Sequence, residues 1–296
     1  MKKNRILLAV FVVVLSSCSS RLFAQDSTGS MLDLVKDSTA GTEYVNNAFK
    51  STRVINGMSI EMLGAGSLDF RILHRFGPIN SGAGQFFGLD QSTVRLSFDY
   101  APFNDLLVGL GRSTVKKELD GFVKYRLLHQ SRGDRTMPVS VILVAGMTCE
   151  TLPFTDQTIA NYFTSRLAFF QQVIVGSKIS DALSLQISPT LVHRDLVVLK
   201  SDPNDIFAIG FGGRIKLTNR IAFTIDWYHP FNGMKSGVNF DPLAIGFDIE
   251  TGGHVFQVHL SNSNGMNERA FITETFNNWT KGGIQLGFNI SRIFQL

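Results

Sequence analysis

Charged residues recur at every second position along much of the chain, and that spacing is the first clue to chemistry. Asp69, Arg71 and Arg75 alternate with Leu68, Phe70, Ile72 and Phe76. The same parity gathers Arg95 and Asp99, then Asp120, Lys124 and Arg126, then Arg166, and farther on Arg214, Lys216, Asp226, Asp248 and Glu250. Successive side chains of a strand point to opposite faces, so each such run has one charged wall and one oily wall. Turned inward on a closed sheet, these charges would line a polar conduit; cations modestly outnumber acids, which favours anions. The other reading is a lumen filled by paired side chains, as in the smallest barrels. Sequence alone leaves both open.

No other constellation competes. His74, His129, His193, His229, His254 and His259 are scattered without a metal-ligand spacing. Asp202 and Asp205 flank Pro203-Asn204 and lack the ligand spacing of a calcium loop. Gly109-Leu110-Gly111 and Gly210-Phe211-Gly212-Gly213 resemble nucleotide-binding loops only in composition. They sit inside strand patterns with no helix following, where glycine relieves crowding instead. No nucleophile is placed beside a base. The chain therefore reads as a non-enzyme, with no catalytic residue, no metal and no cofactor.

The elements that carry the charges are strands. About twelve are expected, with cores near 67–76, 91–100, 105–112, 119–130, 138–148, 162–178, 183–194, 206–217, 221–229, 243–250, 254–262 and 282–293. Their oily faces carry Phe98, Phe163, Phe169, Phe211, Phe223 and Phe288. Only the run Val139 to Ala145 is apolar on both faces, which suits contact with an internal plug. Tight turns are expected at 102–104, 132–134, 180–182, 218–220 and 251–253, and long connections near 77–90, 149–161, 195–205, 230–242 and 263–281. Short and long links in alternation are what a membrane barrel requires, and a soluble jelly roll does not. The expected fold is all-β: a transmembrane, antiparallel, up-and-down β-barrel.

The N-terminus supports that destination. Lys2, Lys3 and Arg5 precede an apolar run from Ile6 to Leu15, the pattern of a signal peptide. Leu22-Phe23-Ala24 offers a cleavage site after residue 24; Leu15-Ser16-Ser17-Cys18 offers a lipobox, under which Cys18 would anchor a soluble β-fold binding module. Residues 25–66 read as a flexible leader, with one helical turn expected at 31–35, followed by an arm. The alternation in Val54, Asn56, Met58, Ile60 and Met62 makes that arm a short periplasmic strand, a segment tucked into the lumen, or an ordered pre-barrel extension. The barrel itself is expected over 67–296. Cys149 is the single cysteine after Cys18, so no disulfide framework forms. A formal net charge of +4, with no basic stripe interleaved with aromatics, does not support nucleic-acid binding.

Several blocks carry a family resemblance: Leu68-Asp69-Phe70-Arg71, His74-Arg75-Phe76-Gly77, Asp120-Gly121-Phe122-Val123-Lys124-Tyr125, Asp202-Pro203-Asn204-Asp205, Gly246-Phe247-Asp248-Ile249-Glu250 and Gly287-Phe288-Asn289-Ile290-Ser291-Arg292. In this order, from about Phe49 to Leu296, the chain resembles an uncharacterised outer-membrane β-barrel family of Bacteroidota. The resemblance implies an outer-membrane location and carries over no catalytic residue. The expected partners are outer-membrane lipid, the barrel-assembly machinery and a small solute, with the barrel a monomer.

Overall fold

Alternation of this kind folds into strands because one face meets lipid while the other meets the interior. The computed structural model describes residues 41–154, 161–197, 199–233 and 239–296. The expected signal peptide with Cys18 and Ala24, and the turn expected at 31–35, lie outside the described residues. The barrel strands are β1 (Ser67–Pro78), β2 (Ser92–Phe103), β3 (Leu106–Ser113), β4 (Leu119–Leu128), β5 (Ser140–Cys149), β6 (Leu167–Lys178), β7 (Leu183–Arg194), β8 (Asp205–Lys216), β9 (Ile221–Pro230), β10 (Leu243–Glu250), β11 (His254–Ser261) and β12 (Gln285–Gln295). Each pairs antiparallel with its sequence neighbours, and β12 pairs with β1 to close the ring, Phe288 opposite His74 and Ile290 opposite Ile72. Closure satisfies every ladder without leaving an edge, the condition for a sheet in hydrocarbon. Among the described residues no helix is long and apolar enough to cross a membrane.

The two walls separate cleanly. Along β1, buried Asp69, Arg71, Leu73 and Arg75 alternate with half-buried Leu68, Phe70, Ile72, His74 and Phe76. Phe98, Leu110, Phe207 and Phe247 are exposed on the outer wall. Large apolar side chains turned outward around a closed barrel are incompatible with the soluble alternative and suit lipid.

Three local expectations change. Phe163 does not belong to a strand: Phe163–Arg166 forms a 3₁₀ turn, so β6 begins at Leu167. The 119–130 strand stops at Leu128, and the link after it is no tight turn. Within that link, Ser131 and Arg132 pair with Tyr44 and Glu43 in a two-residue ladder. The third change is the loop after β11, which turns inward and carries a short helix, Glu268–Thr273, buried at every position.

The core of the molecule lies inside the barrel. Past the small ladder, the arm turns inward. Phe49, Val54, Met58, Ile60 and Met62 join Ile142 and Val144 of β5, Phe170 and Ile174 of β6, and Phe271 and Ile272 of the loop helix in one buried apolar cluster. The two-faced apolarity of β5 thus has its cause: one face meets lipid, the other meets the arm.

Candidate functional site in the barrel lumen

The arm enters as a tight hairpin. Arg53 and Met58 form an antiparallel bridge. The Val54 amide donates to the Gly57 carbonyl at 2.8 Å and the Ser59 amide to that of Thr52 at 3.0 Å. Asn56-Gly57 provides the turn. Gly57 is required there, since a Cβ would stand 2.2 Å from the Tyr228 hydroxyl.

Polar side chains of the wall hold this hairpin by its main chain. Asp226 of β9 accepts the amides of Asn56 and Gly57 at 2.7 and 2.8 Å through one carboxylate oxygen. The Gln186 amide of β7 accepts from the Ile60 N–H at 2.9 Å and donates to the Met58 carbonyl at 2.7 Å, as a neighbouring strand would. Gln257 of β11 donates to Val54 O at 2.7 Å, and Asn289 of β12 to Ile55 O at 3.0 Å. Lys124 of β4 donates to the carbonyls of Thr52 and Glu61, at 3.2 and 2.7 Å. Arg75 of β1 donates to Asn56 Oδ1 at 2.9 Å, and Arg214 of β8 to Ala48 O at 3.3 Å. Buried main-chain groups need such partners; an orphaned one costs about 1–3 kcal/mol.

The second insertion meets the first. Asn267 caps the loop helix, its Oδ1 accepting the Ala270 amide at 2.9 Å. Glu268 pairs with Arg53 of the hairpin at 2.9 Å, both almost fully buried. Phe271 packs edge-on against Tyr228, ring centres 5.0 Å apart. Arg269 binds Glu118 of the β3–β4 link at 2.7 Å and Glu274 at 2.6 Å. Glu274 also takes Lys116 at 2.8 Å. Burial alone would raise the Glu274 carboxyl, but the charges of Arg269 and Lys116 outweigh it and hold the group down to about 2.

Charges on the wall divide into two classes. Arg71 pairs with Asp69 at 2.6 Å and with Asp99 at 3.3 Å, and Arg95 pairs with Asp120. Asp248 accepts from Gln257 at 2.9 Å. Arg75, Lys124 and Arg214, by contrast, reach no carboxylate within ion-pair distance among the described residues. The bonds of Lys124 and Arg214 end on hairpin carbonyls, while Arg75 bonds Asn56, Asn289 and its neighbour's carbonyl. Asp226 likewise faces hairpin amides.

The remaining candidates sit at the ends of the barrel. Arg126 stands half-buried at the short-turn end, donating to His129 Nδ1 at 2.8 Å. Burial first, and the Arg126 charge second, push His129 below its ordinary value, which leaves Nε2 to donate to Val45 O at 3.0 Å. Glu250 pairs with Lys50 of the arm, and Lys216 is half-buried nearby. Arg166 departs from expectation. It lies in the 3₁₀ turn before β6, donates to Glu150 O at 2.9 Å and stacks on Phe154, because the strand parity that placed it stops at Leu167.

Sequence parity missed Arg53, Glu118, Glu268, Arg269 and Glu274, since none lies on a barrel strand. Asn56-Gly57 is a turn signal, and Asn267 a helix-cap signal, that would have marked both insertions.

A family described as a membrane bound beta barrel domain (DUF5777) matches residues 49–294, hairpin included. No curated protein sequence matches the chain. Among solved structures, the NanC porin is 12% identical and superposes with a TM-score of 0.50, over 77% of this chain and 100% of its own. The KdgM porin is 8% identical with a TM-score of 0.46, over 78% and 99%. An outer membrane channel from Pseudomonas putida F1 is 12% identical with a TM-score of 0.45, over 80% and 98%. At such identity the NanC likeness establishes the fold alone.

Proposed function

Because the chain belongs to the family of membrane-bound β-barrel domains, we propose that it is an outer-membrane channel for small solutes, held closed by its own N-terminal hairpin. The resemblance noted above supports a Bacteroidota outer membrane as the setting of this channel. Short turns face the periplasm and long loops the outside in such barrels, so the arm enters from the periplasm. Residues 1–24 act as the signal peptide, and the barrel works as a monomer inserted by the assembly machinery. No catalytic step is part of this reading.

One observation carries the proposal. Arg75, Lys124, Arg214 and Asp226 turn toward the hairpin rather than toward opposite charges on the wall. Withdrawal of the hairpin would open a lumen in which three cations and one acid lose those partners, and water could replace each lost bond. The open state would favour anions. The second reading is a permanently plugged structural barrel, favoured by the apolar cluster and by the buried Arg53–Glu268 pair.

Planar-bilayer recordings separate the two. The full chain should conduct rarely and briefly, and a variant lacking residues 48–63 should conduct steadily, with a reversal potential that favours anions. A deletion variant that folds, as judged by heat-dependent gel mobility, yet never conducts would leave the structural barrel.

A further inference from the structure

The outer wall carries a groove that the channel reading does not use. It lies over β2 to β6, has a volume of about 740 Å³, and is lined mainly by Phe98, Leu110, Gly121, Ala145, Met147 and Phe169. Its origin is local. The pairing registers set Phe98, Leu110, Gly121, Met147 and Phe169 in one outward row and Tyr100, Val108, Val123, Ala145 and Gln171 in the next. Gly121 and Ala145, on adjacent strands, leave a hollow where the rest of both rows carries large side chains. The volume falls within the roughly 300–1,000 Å³ of ligand pockets.

The next row toward the long loops contains Arg112, opposite Leu96 and Leu119. Arg112 is exposed, and so is Lys117 in the link just above it. Lys117 is held at a φ of 49°. Neither makes an ion pair among the described residues, whereas the adjacent Lys116 is committed to Glu274 and Glu150. Two unpaired cations thus stand at the long-loop end of an apolar hollow. A ligand that complements both parts has hydrocarbon chains and a phosphate.

We propose that this groove binds one phosphorylated, multiply acylated glycolipid of the lipid A type, an acyl chain lying over Gly121 and Ala145 and a phosphate held by Arg112 and Lys117. Guanidinium and ammonium groups bind phosphate through charge-assisted hydrogen bonds. The assignment rests on the orientation proposed above, which puts the long loops in the outer leaflet; it does not depend on whether the lumen conducts.

Native mass spectrometry of the full-length barrel, released from detergent with added lipid A, tests the proposal. The unsubstituted protein should retain one lipid A. The double variant Arg112→Gln/Lys117→Gln should bind it about tenfold more weakly, the loss of one or two charge-assisted bonds. Dephosphorylated lipid A should bind the unsubstituted protein as weakly. Gly121→Leu, or Ala145→Leu should the first not fold, should weaken both lipids, while Arg220→Gln at the opposite end changes nothing. Equal retention by the charge variant, or equal binding of the dephosphorylated lipid, overturns the proposal, as does a second copy of the chain in the groove. A preference for phosphatidylglycerol over lipid A that still needs Arg112 would overturn the lipid A assignment and the orientation together, leaving the plugged lumen untouched.

Discussion

Asp226 is the residue on which the hairpin tip depends. One of its oxygens takes two consecutive amides, so Asp226→Ala leaves the N–H groups of Asn56 and Gly57 without their acceptor. Each orphaned group costs about 1–3 kcal/mol, and a lower unfolding midpoint in urea, measured in detergent, should report the loss. Glu274 gives a pH signature at the long-loop end. Its carboxyl falls from 4.5 to about 2 in the folded chain, so the stability it contributes is complete above pH 4.5 and disappears as pH drops toward 2. Melting temperatures should therefore diverge from those of Glu274→Gln above that window and converge within it. The inward residues on strands were legible because strand parity is strict: Asp69, Arg71, Arg75, Arg95, Lys124 and Arg214 are all buried. Their partners were not legible. A parity argument says which way Arg75 or Lys124 points and nothing about a hairpin that meets it from a distant part of the chain.

At the scale of elements, the strands were readable because one period governs their whole length. Boundaries slipped where the period outlasts the strand. Phe163 and Arg166 continue the alternation of β6, yet they sit in a 3₁₀ turn. The arm offered alternation too weak to choose among its three readings, and its place is decided by partners on seven strands, six of them far along the chain. The loop helix escaped because a six-residue helix has no periodic face long enough to recognise, although Asn267 caps it. Face assignment carries its own expectation. Phe223 is half-exposed on the outer wall of β9, and its neighbour Thr224 is fully buried. Phe223→Arg should cost about 2–4 kcal/mol if the site lies near mid-membrane, read from unfolding in lipid vesicles. A negligible cost would put that wall in water.

For the molecule as a whole, a closed barrel of this width would carry a polar lumen open to water unless something filled it. Two insertions fill it, one entering from each end, and the buried Arg53–Glu268 pair joins them. Severing such a buried pair is costly, whereas exchanging wall-to-hairpin hydrogen bonds for bonds to water is nearly neutral, so the hairpin is held by contacts that differ in how readily they release. The barrel architecture was written in the alternation of faces and of loop lengths. The closed lumen was not, because no local pattern encodes a contact between Asn56 and Asp226. Hydrogen exchange of the full-length protein in detergent micelles tests the closed lumen most directly. The amides of Asn56, Gly57 and Ile60 bond to side chains of the barrel wall and to nothing else in the hairpin. They should exchange as slowly as the amides of β9 and β11. Exchange as fast as that of the exposed loop around Gly84 would contradict a seated hairpin, and with it the closed lumen.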